Sequence, residues 1–215
     1  MSRNLLTALG LKRPVFLFLV LFIAVSCAPK QAARPVREGV ALEELISSLK
    51  NIQALETVMT LEYEKGESIM SGEAFMNLSA KELNLRVYYL GFLAGEVKEK
   101  EGVIETNPKL DRNKKILLTD GLRSSFFWWN IAEYTLENED DRYILRNDFR
   151  KVVIDKKMLL PLIQVIEMPD GEKLTVYYDS PVVQPEPALW YQSSLRIEYR
   201  QSIVKAKIKS FLPLR

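Results

Sequence analysis

Apolar and polar residues follow two different periods along this chain. Apolar residues between Leu42 and Ile52 recur at spacings of three and four, which predicts an amphipathic helix that ends near Ala54. From Met59 onward apolar residues alternate with polar ones, which predicts strands with one buried and one solvated face. One early helix followed by many strands indicates an α+β fold that is mainly antiparallel β.

The predicted strands follow one another through short turns, as in an antiparallel meander. Alternating or extended segments are residues 59–64, 69–78, 83–89, 96–106, 114–119, 143–145, 151–155, 162–168, 173–178, 195–200 and 203–209. The clearest hairpin turn is Pro169-Asp170-Gly171. Because open twisted sheets of about 9–11 strands curl or close, we expect an unclosed β-barrel with an N-terminal helix and a helical or aromatic lid over an apolar cavity.

The first 26 residues have the pattern of an export signal. The basic residues Arg3, Lys12 and Arg13 precede eleven uncharged residues, 15–25, and no acidic residue occurs before Glu38. This run would form about 16 Å of helix, against a hydrocarbon core of about 30 Å. A membrane-spanning helix is therefore not favoured.

Cys27 is the only cysteine of the chain, and it ends the sequence "AVSC" directly after the apolar run. An unpaired cysteine in an exported protein cannot form a disulfide within the chain. The context resembles a bacterial lipobox, which implies cleavage before Cys27 and lipid attachment to its thiol; an ordinary signal peptide that contains a cysteine is the alternative. We expect a lipoprotein signal peptide over 1–26, an acylated cysteine and flexible tether over 27–39, and one half-barrel domain over 40–215.

Composition excludes several classes of function. The chain has 30 basic residues, 28 acidic residues and no histidine, so loss of the three basic residues in the signal leaves 27 basic against 28 acidic. This balance does not favour nucleic-acid binding, and the lack of histidine removes Ser-His-Asp and Cys-His nucleophiles and the usual zinc sites. The acidic cluster at 137–141 lacks metal-loop spacing, and the charges at 142–157 predict a solvated strand face. We expect no metal, and no cofactor apart from the covalent lipid on Cys27.

Four consecutive aromatic residues, Phe126, Phe127, Trp128 and Trp129, form the first candidate site. Neighbouring residues cannot all point the same way on a strand or a helix, so both sides of this run must meet apolar surface. The run predicts either an element buried on two faces or an aromatic wall or lid over a cavity that accepts acyl chains.

The segment from Leu90 to Val97 forms the second candidate site, because it requires a turn whose tip is apolar. Two glycines flank Phe92 and Leu93 in this segment. Turn tips are normally polar, so exposed apolar side chains there would suit insertion into a membrane or a partner's pocket. The alternative is that Phe92 and Leu93 fold back onto the barrel rim.

The order of these features resembles the LolA/LolB-like proteins, which carry and receive lipoproteins at the bacterial outer membrane. The likeness runs through "ALEELISSLKNIQALE", "GEAFMNL", "ELNLRVYYLGFLAGEVKEKEGVIE", "FRKVVIDKKMLLPLIQVIEMPDGEKLTVYYD" and "PALWYQSSLRIEYRQSIVKAKIKSF". The resemblance implies an unclosed antiparallel barrel with helices over an apolar cavity. It also implies that an apolar residue protrudes from a loop after an early strand, and Leu93, with Phe92 beside it, matches that residue best.

By this resemblance the protein is an outer-membrane lipoprotein at the periplasmic face and not an enzyme. It would bind acyl chains of lipoproteins or phospholipids and help to receive or insert them, as a monomer, with a soluble periplasmic carrier as a candidate partner. Ala28 and Pro29 follow Cys27, in place of the aspartate that retains lipoproteins in the inner membrane of familiar enterobacterial systems. The alternatives are a structural or assembly lipoprotein that binds a protein partner, and an anchored hydrolase for which the sequence selects no carboxylate or Ser-Lys pair.

Overall fold

The computed structural model describes residues 39–184 and 189–214. The predicted signal peptide, Cys27 and the tether up to residue 38 lie outside the described residues. No helix among the described residues has the length and apolar character needed to cross a membrane.

The described residues form a short N-terminal helix, 12 strands and a helical segment between the fifth and sixth strands. Helix α1 spans Leu42–Leu49, and the helical segment consists of α2 (Arg112–Ile116), a π-helical turn (Leu117–Gly121) and α3 (Leu122–Phe126). The strands are β1 Ala54–Lys65, β2 Ser68–Ser79, β3 Glu82–Tyr89, β4 Phe92–Lys100, β5 Val103–Asn107, β6 Thr135–Asn138, β7 Arg142–Arg146, β8 Arg150–Asp155, β9 Pro161–Glu167, β10 Lys173–Gln184, β11 Leu189–Tyr199 and β12 Ser202–Leu214.

All 12 strands belong to one antiparallel sheet, in the order β5-β4-β3-β2-β1-β12-β11-β10-β9-β8-β7-β6. Strands β5 and β6 are its two edges, so the sheet is an unclosed barrel and the predicted fold class is confirmed. The strand count is slightly higher than predicted, because residues 96–106 form parts of two strands and because β6 has no alternation: all four of its residues are exposed.

Residues 114–119 are helical, so the predicted strand there is wrong. The Asp111 side chain accepts a hydrogen bond from the Lys114 backbone N–H at 3.0 Å and caps α2, which starts the helix immediately before the apparent alternation. The buried residues Leu117, Leu118 and Leu122 then follow a helical period that the short window conceals.

The inner face of the sheet packs around the helical segment and α1. The amphipathic prediction for α1 is confirmed, since Leu42, Leu45, Ile46 and Leu49 are all buried. In the π-helical turn, a Cβ on Gly121 would lie 3.0 Å from Cγ2 of Ile197 in β11, so the absence of a side chain lets this turn approach the sheet closely.

Candidate functional site

An open apolar groove of about 520 Å³ lies between strands β1–β4 and the helical segment. This volume is within the range of about 300–1,000 Å³ that is typical of small-molecule sites. Apolar side chains from both layers line it, chiefly Leu61, Tyr63, Met70, Val87, Val97 and Leu118. The arrangement suits an elongated apolar ligand.

Bare backbone forms part of the groove wall. Gly72 in β2 and Gly95 in β4 both border the groove. A Cβ on Gly72 would lie 2.6 Å from the Tyr88 carbonyl oxygen, so no other residue fits there without movement of β3. The register of β3 against β4 shifts between Val87 and Tyr88, and such a bulge increases local twist where the groove lies.

The hairpin turn between β3 and β4 carries an exposed apolar surface, which we call the apolar tip: Leu90, Phe92 and Leu93. Leu90 is 80% exposed, Phe92 79% and Leu93 54%. The alternative in which Phe92 and Leu93 fold back onto the barrel is therefore wrong. Their role in membrane insertion stays a prediction.

The backbone of this turn is unfavourable for leucine. Leu90 and Gly91 have φ values of +49° and +83°, the pattern of a two-residue type I′ hairpin turn. Asparagine and glycine prefer these positions, whereas an ordinary L-residue in the left-handed region costs about 1–2 kcal/mol. The fold accommodates this cost at Leu90, as it does at Glu101 in the next hairpin turn.

Lys114 of α2 is the cation that lines the groove. Its Nζ lies 4.5 Å from the centroid of the Tyr63 ring and 4.0 Å from Sδ of Met70. Burial lowers the pKa of Lys114, and Asp111 raises it by a smaller amount. Asp111 forms its ion pair with Lys65, at 3.6 Å, and not with Lys114.

The aromatic run lies on the other side of the interior and is fully buried. The ring centroids of Trp129 are 5.7 Å from Trp128 and 5.6 Å from Phe127, both in edge-to-face geometry, and Phe126 stacks on Phe211 at 6.1 Å. The space between these rings and strands β10–β12 is about 40 Å³, far below that of the groove. A separate open pocket of about 510 Å³ borders Phe127 and Trp129 and is lined in part by Lys50, Lys81 and Glu82. The run therefore fills the interior beside β10–β12 in this conformation, and its action as a lid stays a prediction.

Arg150 of β8 holds the aromatic run in place. Its guanidinium donates to Oε1 of Gln164 at 2.9 Å and to backbone carbonyl oxygens at the end of α3 and just after it: Asn130 at 2.9 Å, Ser124 at 3.2 Å, and Phe127 and Trp128 at 3.4 Å. Burial lowers the pKa of Arg150. The prediction of a solvated strand face for 142–157 is wrong at Arg150, because these carbonyl groups replace its water.

Among the described residues no group of three or more acidic or other metal-binding side chains could hold a metal ion. Buried polar side chains near the aromatic run engage each other: the Tyr178 hydroxyl is 3.3 Å from the Ser125 carbonyl oxygen and 3.4 Å from Oε1 of Gln164. Burial raises the pKa of Tyr178, which keeps it a neutral donor. These contacts support packing.

Sequence reasoning missed three features of the groove. Leu90 was part of the predicted turn, but only the backbone identifies it as the most exposed residue of the apolar tip. Lys114 was placed on a strand, which hid its approach to Tyr63. Met70 was assigned to a strand without a role, and the alternation that places it on the inner face of β2 was the available signal.

No sequence-family model matches the chain, and no curated protein matches it significantly in sequence. Solved structures do match its fold. A LolA superfamily protein from Nitrosomonas europaea aligns with TM-score 0.53 at 8% identity, over 82% of this chain and 95% of that one. A DUF1329 family protein from Desulfovibrio piger aligns with TM-score 0.52 at 11% identity, over 84% and 94%.

A domain from Vibrio parahaemolyticus, described as an outer membrane lipoprotein-sorting protein domain, aligns with TM-score 0.51 at 9% identity, over 79% of this chain and 89% of that one. At such low identity the likeness concerns the fold alone. The chain has a LolA-like fold, as the resemblance in its sequence predicts.

Proposed function

We propose that this protein is an outer-membrane lipoprotein, anchored by lipid on Cys27 at the periplasmic face, that binds acyl chains and helps to receive or insert lipoproteins or lipids. The single observation that carries the proposal is the open apolar groove of about 520 Å³ between the sheet and the helical segment. The LolA-like fold supports it, since one structure that shares the fold is described as a lipoprotein-sorting domain.

Acyl-chain transfer into such a groove needs no catalytic residue. Each methylene that leaves water contributes about 0.8 kcal/mol, so a groove that contacts a few more methylenes than a carrier's cavity would draw the chain across. The protein acts in this proposal by binding and not as an enzyme.

The apolar tip supports contact with a bilayer close to the groove. Tyr89, which precedes the tip, also lines the groove and is itself exposed, so apolar surface is continuous from the groove to the tip. An acyl chain that leaves the groove along this surface would stay in apolar contact until it reaches the membrane.

The groove is tested with the full chain, purified from a bacterial envelope and placed in phosphatidylcholine nanodiscs. A photoactivatable diazirine on the methyl ester of hexadecanoic acid serves as the probe, and cross-links are mapped by mass spectrometry, which also reports acyl groups on Cys27. We expect labelled residues on both walls of the groove.

Met70→Ser and Phe75→Ser form a matched pair, because Met70 is 49% exposed, Phe75 is 48% exposed, and they lie on opposite faces of β2. Loss of apolar contact worth about 1 kcal/mol should lower groove labelling about fivefold in Met70→Ser. Phe75→Ser should leave it unchanged. Labelling confined to the apolar tip, or equal loss in both variants, would contradict the proposal.

The second candidate function, a structural or assembly lipoprotein, is favoured by the filled aromatic side of the interior, with its residual 40 Å³. Edge strand β6, whose residues are all exposed, would then offer backbone groups to a protein partner. In that case the groove would remain unlabelled while the folded protein is recovered from the envelope with a bound partner.

A further inference from the structure

The cations beside the groove differ in how their charge is balanced. Lys65 pairs with Asp111, and Arg86 and Lys98 pair with Glu96 at 3.1 and 2.8 Å. Lys114 has no carboxylate oxygen within 4.0 Å among residues 39–184 and 189–214. Its neighbours are a sulfur atom and an aromatic face, which are weaker partners for a cation than an anion is.

The acidic groups around Lys114 form ion pairs with other cations. Asp111 accepts the Lys114 backbone N–H and pairs with Lys65. The two carboxylates that border the groove pair with other cations: Glu62 with Lys205 at 3.2 Å, which also pairs with Glu64, and Glu96 as described above. The Lys114 ammonium is thus partly desolvated and makes no direct ion pair within the described part of the chain, so a negative group that arrives with a ligand can pair with it.

The groove offers a single cation to such a group. Lys114 is the only basic residue among the described residues that line it, and the rest of the lining is mainly apolar. One anionic group beside an apolar chain therefore matches the lining.

We infer that the groove binds an anionic amphiphile, whose acyl chain contacts the apolar lining and whose carboxylate or phosphate pairs with Nζ of Lys114. The inference rests on the proposed function, since it specifies the chemistry of the ligand in the same groove. Carboxylate and phosphate share the required charge and hydrogen-bond acceptors. A free fatty acid or a lysophospholipid would supply them.

The test uses the full chain in phosphatidylcholine nanodiscs and three probes with the same diazirine chain: hexadecanoic acid, its methyl ester and hexadecyl phosphate. We expect the anionic probes to label the groove about tenfold more than the ester, as a charge-assisted contact provides. Preference for the acid would indicate a fatty-acid ligand, and preference for the phosphate a phosphorylated head group; both support the inference.

Lys114→Met should reduce labelling by the anionic probes to the level of labelling by the ester in the same variant. Lys115→Met is the matched control on the same helix, because Lys115 does not line the groove, and it should have no effect. Lys114→Arg should retain the preference for anions, and circular dichroism should show that each variant is folded.

Equal labelling by acid and ester in the unaltered protein would overturn the anion contact while leaving acyl binding intact. A preference for anions that survives in Lys114→Met would also overturn it. Absence of groove labelling by all three probes would overturn the proposed function itself, so the two failures are distinguishable.

Discussion

The two sides of the interior differ in how completely side chains fill them. Between the aromatic run and strands β10–β12 about 40 Å³ remains, whereas the groove beside β1–β4 leaves about 520 Å³. Both sides are lined mainly by apolar side chains, so hydrophobicity alone does not determine which side is open. Side-chain volume contributes, because four consecutive aromatic residues occupy the filled side.

The two sides therefore contribute differently to the protein: one to stability, the other to ligand binding in the proposed function. The filled side contributes stability, because close packing and the hydrogen bonds from Arg150 to four backbone carbonyl groups hold the helical segment against the sheet. The open side forgoes these contacts and keeps space for a ligand.

The largest change in the free energy of unfolding is expected when a ring of the aromatic run is removed. Trp129→Ala removes a buried ring that contacts Trp128 and Phe127, and should lower the free energy of unfolding by about 3–5 kcal/mol. Tyr89→Ala, in the exposed aromatic residue of the groove, should change it by less than about 0.5 kcal/mol. Chemical denaturation measures both, and similar losses in the two variants would show that the sides do not differ in this way.

A smaller change in the free energy of unfolding is expected from a substitution at the apolar tip. Leu90→Asn should raise the free energy of unfolding by about 1 kcal/mol, because asparagine tolerates the positive φ of the type I′ turn. The same substitution should lower labelling of the 87–98 peptide by a bilayer-resident photoprobe several-fold, because it removes an apolar side chain from the tip.

Glu101→Asn is the control for Leu90→Asn. Glu101 and Gly102 form a turn of the same backbone pattern at the other end of β4, with φ values of +51° and +83°. This variant should also be stabilised, yet labelling of the 87–98 peptide should not change. If both variants lose labelling of this peptide, the loss in Leu90→Asn does not report membrane contact by the Leu90 side chain.

The smallest expected effect is on how the stability of the protein changes at acid pH. The pKa of Asp170 lies below its ordinary value of 3.8. The main cause is the Tyr199 hydroxyl, which donates to the carboxylate at 2.6 Å. The Glu172 backbone N–H, Arg200 and Arg112 lower it further. Stability from this group is therefore present above pH 3.8 and is lost as the pH falls through the lower pKa of the folded state. Asp170→Asn should reduce the difference between urea midpoints at pH 6 and pH 3; an unchanged difference would contradict this role.

Regular periodicity made most of the fold predictable. The alternation around Met59 and the three-to-four spacing between Leu42 and Leu49 both persist for several residues, and the structure confirms both elements. The segment at 112–121 was missed because its helices are short and a short window of it also fits an alternating pattern. The local cap that Asp111 gives to the Lys114 backbone N–H was the available signal.

The candidate site was predictable only in part. The apolar turn at Phe92 and Leu93 was visible in the sequence, but the sequence left exposure and folding back onto the barrel as alternatives, and the structure shows both side chains exposed. The groove was not visible in the sequence, because it depends on how far the helical segment lies from β1–β4 and on the bulge near Val87, neither of which leaves a local pattern. The volume beside the aromatic residues depends likewise on ring packing in three dimensions.

The connection between the two edge strands has a mechanical consequence. Residues 108–134 join the end of β5 to the start of β6, and they carry both the groove residue Lys114 and the aromatic run. The covalent link between the two edges is therefore also the part of the chain that borders the groove and that fills the aromatic side of the interior. Movement of this segment would change the groove and the aromatic packing together.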